Sequence, residues 1–102
     1  MPHFLTCLML LLLPTLALAQ SPPRPAKLGL CVSCHGDDGR SRARATPHLG
    51  GQDEAYLGNA LRAYRNGQRR AQPMASLANT LQPADIAALA RWYASQPGFG
   101  RP

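Results

Sequence analysis

The run Cys31-Val32-Ser33-Cys34-His35 gathers two thiols and an imidazole into five residues. Wound into one helical turn, these three side chains stand at i, i+3 and i+4 and share a face. C-x-x-C-H is the attachment pattern for a covalently bound haem. The thiols add to two haem vinyl groups as thioethers, and the imidazole reaches the iron as its proximal axial ligand. Two other chemistries draw on the same residue types. A redox dithiol also reads C-x-x-C, although no Trp or Pro flanks this pair and no βαβ pattern surrounds it. A structural zinc site needs four ligands, which Cys31, Cys34, His35 and His48 supply by count. Neighbouring Cys34 and His35 on one helix suit a tetrahedral cage poorly, and no second pair at finger spacing follows.

The N-terminal segment bears on which chemistry is served. Residues 1–19 read as a signal peptide: an apolar run from Leu8 to Leu18, interrupted at Pro14 and Thr15, leads to Ala17-Leu18-Ala19, an A-x-A cleavage pattern. Its start offers only His3 and the terminal amine where Lys or Arg is usual, so an uncleaved anchor is the alternative. The run is too short and too interrupted for a good membrane span. The expected mature chain therefore begins at Gln20, enters the periplasm and carries no integral membrane span. Cys7 leaves with the leader, so Cys31 and Cys34 are the cysteines that remain. A disulfide between them would close a loop too short to staple much, whereas haem attachment gives both a use.

Residues 20–102 are close to the lower limit at which a hydrophobic core suffices, and domains of that size commonly need a metal, a cofactor or cross-links. Large aliphatic side chains are sparse in this stretch and Ala is abundant. A flat apolar ring bonded in the middle would complete the core, so the chain without it is expected to be largely unfolded.

The elements that must hold such a ring are helical, with no strand pattern anywhere, and the fold class is all-α. After a Pro-rich segment at 20–27, one domain spans 28–96, followed by a tail at 97–102. A first helix is predicted from Pro25 or Ala26 to Cys34, with Pro in the first turn and Gly36 as the stop. A second is predicted from Asp53 to Asn66, with acidic residues at its start, basic residues at its end and Gly67 beyond. Tyr56, Leu57, Ala60, Leu61 and Tyr64 form its apolar stripe. A third follows Pro83 and runs to Ser95, with Ile86, Leu89, Ala90 and Tyr93 inward, Trp92 on the flank and Pro97 closing it. The connections at 36–52 and 67–82 are long for so small a domain, which is usual only when loops wrap something.

Several stations along the chain then agree in order: C-V-S-C-H-G at 31–36, P-H-L-G-G-Q at 47–52, the helix from Tyr56-Leu57 to Tyr64 ending at Gly67, Met74, and D-I-A-A-L-A-R-W-Y-A at 85–94. This pattern resembles the class I c-type cytochromes, and among them one half of the small dihaem periplasmic cytochromes and their monohaem relatives. The resemblance covers Leu28 to Gln96. It implies a small class I cytochrome c fold, about three main helices wrapped around one covalent haem c. Cys31 and Cys34 would hold the thioethers and His35 the iron. Pro47 would offer its carbonyl to the proximal imidazole, Leu49 would lie beside the ring, and Met74 would be the distal iron ligand. Met74 is also the one methionine after Gln20, on a predicted loop, where the bland alternative is a gap-filling side chain. His48 is the rival ligand, although its place beside Pro47 puts it on the proximal side as an exposed loop residue. Trp92 and Tyr93 resemble the aromatics by which the last helix crosses the first. The short stretch before Cys31 predicts that this crossing is curtailed.

The net charge is +6, with Arg40, Arg42, Arg44, Arg69 and Arg70 on predicted loops. These serve either as a solvated surface or as a steering patch for redox proteins with acidic docking surfaces. Nucleic acid is excluded as a partner, since no helix-turn-helix, RNP motif or basic-aromatic interleaving occurs. No acid, base or nucleophile constellation suggests an enzyme. The resulting expectation is a monomeric periplasmic one-electron carrier with His/Met ligation. The alternatives are a haem subunit docked permanently in a dehydrogenase or oxidase, or a gas- or peroxide-responsive haem protein if Met74 is labile.

Overall fold

The computed structural model describes residues 12–13 and 21–98. It contains helices α1 (Gly29–His35), α2 (Glu54–Arg65), α3 (Met74–Asn79) and α4 (Pro83–Ser95), with no strand among the described residues. The expected cleavage site at 19–20 and the tail beyond residue 98 lie outside the described residues.

α2 forms where the sequence predicts, and its ends show why. The Asp53 carboxylate accepts the Tyr56 N–H at 2.9 Å, satisfying one donor that the first turn leaves open. Glu54 lies in the first turn and Arg62 and Arg65 in the last, each complementing the helix dipole. Leu57 is buried, but Tyr56 is 51% exposed, so the predicted apolar stripe is narrower than its five residues. Tyr56 instead borders the cavity described below.

α4 also matches its prediction. Pro83 opens it, and Asp85 closes a capping box by accepting the Gln82 N–H at 2.8 Å. Ile86, Leu89, Ala90 and Tyr93 are buried in one cluster with Leu28, Leu57 and Leu81, and α4 packs on α2 through it. Half-buried Cys31, Val32, Leu49 and Trp92 border the same cluster. Its small membership agrees with a core that a bound ring must complete.

Two predicted elements are corrected. The first helix begins at Gly29 and ends at His35, not at residue 25 or 26 and Cys34. The residues before Gly29 are wound as turns with i to i+3 bonds, Leu28 N–H to the Pro25 carbonyl and Leu30 N–H to the Lys27 carbonyl, both 3.1 Å. The connection at 67–82 is not structureless, because α3 lies inside it. Met74 is therefore the first residue of a short helix rather than a loop residue. Gln72 supports that turn: its side-chain oxygen accepts the Ser76 hydroxyl at 2.7 Å and the Ser76 N–H at 3.2 Å.

Candidate functional site

His35 is fixed from the backbone outward. α1 stops at Gly36, whose φ of 76° is readily reached by a residue without a Cβ. The chain then turns through Gly39, at φ 77°, where it passes directly against Gly50, and a Cβ on Gly39 would strike the Gly50 backbone. Leu49 and Gly50 donate their N–H groups to the Gly39 carbonyl at 2.7 and 3.2 Å, tying the two passes together. This crossing returns Pro47 to the end of α1, where its carbonyl lies 2.9 Å from His35 Nδ1. A carbonyl can only accept, so Nδ1 carries the proton and Nε2 keeps its lone pair for a metal. The ring is only 6% exposed, and the bond sets its orientation and strengthens its basicity.

α4 secures the same segment from the other side. The buried Tyr93 hydroxyl donates to the Gly36 carbonyl at 2.9 Å, and Trp92 Nε1–H donates to the Asp37 carbonyl at 2.7 Å. Arg24 pairs with the Asp37 carboxylate at 2.7 Å, with its guanidinium 6.0 Å from the centre of the Trp92 ring. The crossing of the last helix over the first is thus made largely at the two carbonyls that follow His35. Burial raises the Tyr93 phenol well above its ordinary range, so it stays a donor at neutral pH.

A cavity of about 350 Å³ opens beside this segment. Cys31, Cys34, His35, Pro47, Leu49 and Met74 all line it, so every site residue expected from the sequence borders one space. Leu57, Leu61, Leu77, Leu81 and Leu89 make much of the rest of the wall apolar. Met74 is half-buried there. His48 also reaches the lining but is exposed, as expected, and its Nδ1 accepts the Ser41 N–H at 2.9 Å.

These details weigh on the competing chemistries. Among the described residues, no three His, Cys, Asp or Glu side chains converge as a metal cage of the kind a structural zinc needs. Burial pushes the Cys31 thiol up to about 11, opposite to the depressed value of a reactive dithiol. The two thiols are not bonded to each other. A haem fits what is present: Cys31, Cys34 and a His35 whose Nε2 keeps its lone pair stand on one helix and line a largely apolar cavity within the usual range for cofactor sites.

Sequence reasoning missed the tight pass between Gly39 and Gly50 and the Arg24 contact with α4. The glycines of P-H-L-G-G-Q and of the segment after His35 carried the first signal. Nothing local signalled the second, because Arg24 meets residues distant in sequence.

Known proteins give the same reading. The chain is 45% identical over 73 residues to cytochrome c-554(548) of Halomonas halodenitrificans, covering 69% of this chain and 88% of that protein. It is 39% identical over 71 residues to cytochrome c4 of Pseudomonas aeruginosa, covering 70% of this chain but 35% of that one. A protein of Thiomonas intermedia called thiosulfate dehydrogenase electron acceptor is 35% identical over 85 residues, covering 82% of this chain and 38% of its own length. The cytochrome c4 structure from Acidithiobacillus ferrooxidans superposes with a TM-score of 0.60 at 32% identity, over 64% of this chain and 37% of that chain. The chain thus spans most of one relative and little more than a third of the others. With the cytochrome c family model matching residues 27–96, the helices and the cavity they enclose belong to one continuous unit. This chain is a member of the cytochrome c family, an electron carrier whose cofactor is a covalent haem c with its iron.

Proposed function

We propose that this chain is a periplasmic carrier of single electrons in which His35 and Met74 hold the two axial positions of the iron. The observation that carries the reading is the shared cavity: Cys31, Cys34, His35 and Met74 all border it, and the His35 ring is already turned by Pro47 so that Nε2 is its free nitrogen. When bound, haem c supplies a ferrous/ferric couple.

The chain's own residues do the rest. Cys31 and Cys34 tether, His35 donates a lone pair kept basic by the Pro47 carbonyl, and Met74 offers a soft thioether that favours the ferrous state. Leu49 and the leucines of the wall exclude water from the ring, which limits solvent reorganisation. Held by both His35 and Met74, the iron would be closed to a small substrate. The domain bounds at 28–96 and the leader at 1–19 belong to this same reading. Among the described residues no helix is long and apolar enough to cross a membrane.

The partner class follows from charge. A net +6 chain meets an acidic redox protein faster than a neutral one does. Relatives called thiosulfate dehydrogenase electron acceptors favour a dehydrogenase on the donor side. The chain acts as a monomer between that donor and the next acceptor.

Absorption spectra of protein exported from a host that attaches haem test the assignment. A thioether-type reduced pyridine spectrum is expected, together with a far-red methionine-to-ferric band that disappears in Met74→Ala. Covalent haem without that band would remove Met74 from the iron. No haem at all would overturn the whole reading.

A further inference from the structure

We infer that Pro97 and Gly98, where the chain leaves α4, brace the loop that presents Pro47 to His35 and are positioning residues for the proximal ligand. The inference rests on the haem reading above. Gln96 caps α4 with an extended backbone, at φ −76° and ψ 158°, and the residues after it pass over Gly50 and Gly51. A Cβ on Gly50 would lie 2.5 Å from the Asp38 carbonyl oxygen and 2.6 Å from the Pro97 carbonyl oxygen, so two distant stretches of main chain close over the same face of that residue. A Cβ on Gly51, at φ 72°, would lie 2.7 Å from Gly98 Cα. Two glycines therefore meet backbone to backbone, an approach that a side chain on Gly51 would forbid.

Hydrogen bonds carry the brace to Pro47. The Tyr93 carbonyl accepts the Gly51 N–H at 3.0 Å and the Gln96 N–H at 3.2 Å, so one acceptor in the last turn of α4 holds both the loop and the start of the exit. The loop is tied again at Gly39, whose carbonyl takes the Leu49 and Gly50 N–H groups. Pro47 lies two residues before Leu49, and its carbonyl meets His35 Nδ1 at 2.9 Å. The Tyr93 and Gly39 carbonyls thus fix residues 49–51, while Pro97 and Gly98 block movement of that segment toward them. The Gln96 side chain takes no part, since it turns back to the Trp92 carbonyl and the Ser95 hydroxyl. The brace therefore acts through backbone alone, and its effect on the iron passes through Pro47: a firm Nδ1–H bond raises the basicity of the imidazole, which favours ferric iron.

Removing the brace should loosen that bond while the haem stays attached. Haem-loaded wild type, a chain ended at Gln96, Gly51→Ala, the two changes combined, and Gly67→Ala are compared by NMR exchange of the His35 Nδ1 proton and by midpoint potential. Gly67→Ala imposes similar left-handed strain, at φ 84°, where an added Cβ meets nothing. In the shortened chain the proton should exchange about 2- to 10-fold faster, the fold-change of one hydrogen bond's net contribution, and the potential should rise. Gly51→Ala should move both in the same direction and Gly67→Ala neither. Because the added carbon strikes Gly98, Gly51→Ala should do less in the shortened chain than in the full one. Exchange and potential at wild-type values in the shortened chain, even with a lowered Tm, overturn the brace while the haem reading stands. Absence of covalent haem from the wild type overturns both. Hydrogen exchange in the wild type provides a readout that needs no variant: Gly51 N–H, Leu49 N–H and His35 Nδ1–H should open together as one unit, and a Gly51 N–H that exchanges as an unprotected amide overturns the proposal.

Discussion

Replacing Tyr93 by Phe removes one oxygen and leaves the ring, which isolates the bond between α4 and the segment after His35. The Tyr93 hydroxyl donates to the Gly36 carbonyl at 2.9 Å with both residues buried, so Tyr93→Phe strands an acceptor away from water. An orphaned buried acceptor costs about 1–3 kcal/mol. In a domain of this size, each kcal/mol lowers Tm by roughly 4–8 °C. The substitution also has a signature in pH. Burial, followed by the neighbouring charges, raises the Tyr93 pKa in the folded chain, while the unfolded chain ionises near the ordinary value of about 10. The folded state therefore retains a proton that the unfolded state gives up. The stability it contributes is complete below about pH 10 and is lost above it, by up to about 1.4 kcal/mol per pH unit. Guanidinium denaturation of the haem-loaded protein, followed by far-UV circular dichroism at neutral and alkaline pH, measures both effects. Tyr93→Phe should be less stable at neutral pH and should lose less than wild type on the alkaline side. Equal midpoints at neutral pH, or parallel alkaline losses, would show that this hydroxyl does not hold α4 to Gly36.

Two further substitutions probe the pass that carries Pro47 to His35 and the role of the cofactor in the core. Gly39→Ala and Gly67→Ala both place a Cβ on a left-handed residue, at φ 77° and 84°, a strain of about 1–2 kcal/mol. At Gly67 the added carbon meets open space, whereas at Gly39 it meets the Gly50 backbone, so Gly39→Ala should be the more destabilising and should also shift the reduction potential through the displaced Pro47 carbonyl. Identical denaturation midpoints for the two would contradict the tight crossing. The double variant Cys31→Ser, Cys34→Ser, exported without attached haem, should lose most of its helical circular dichroism, because Leu28, Leu57, Leu81, Ile86 and Leu89 with their few neighbours are too small a core on their own. A native helical spectrum from that variant would falsify the expectation of an unfolded apo chain.

α2 and α4 were legible because each is long enough to show a period and carries its own end signals: Asp53 and Gly67 for one, Pro83, Asp85 and Pro97 for the other. α3 was not, since Met74–Asn79 is under two turns and has no acidic residue in its first turn. Its support comes from the Gln72 side chain, which is unremarkable in sequence. The expected site residues stood out as types at fixed spacing, and all of them border one cavity. How they reach it was harder to read. The approach of Gly39 to Gly50 and the aim of Trp92 at the Asp37 carbonyl depend on main-chain paths far apart in sequence. Arg69 looked like one more solvated charge until the fold placed it on the lining while Arg70 turned away.

The contact from His35 Nδ1 to the Pro47 carbonyl has a consequence for how such a chain can diverge. Its acceptor is an atom of the peptide unit, so no change of side chain at residue 47 deletes it, and Tyr93 and Trp92 likewise grip main-chain carbonyls at Gly36 and Asp37. The proximal half of the site is thereby insulated from most point mutations unless they move the backbone. The opposite wall presents the Met74 side chain from the start of a six-residue helix, and under the proposed His35/Met74 ligation it would hang on that one thioether. Under that ligation, inherited variation in redox behaviour should accumulate around Met74, leaving descendants that differ in driving force while sharing one unaltered imidazole mount.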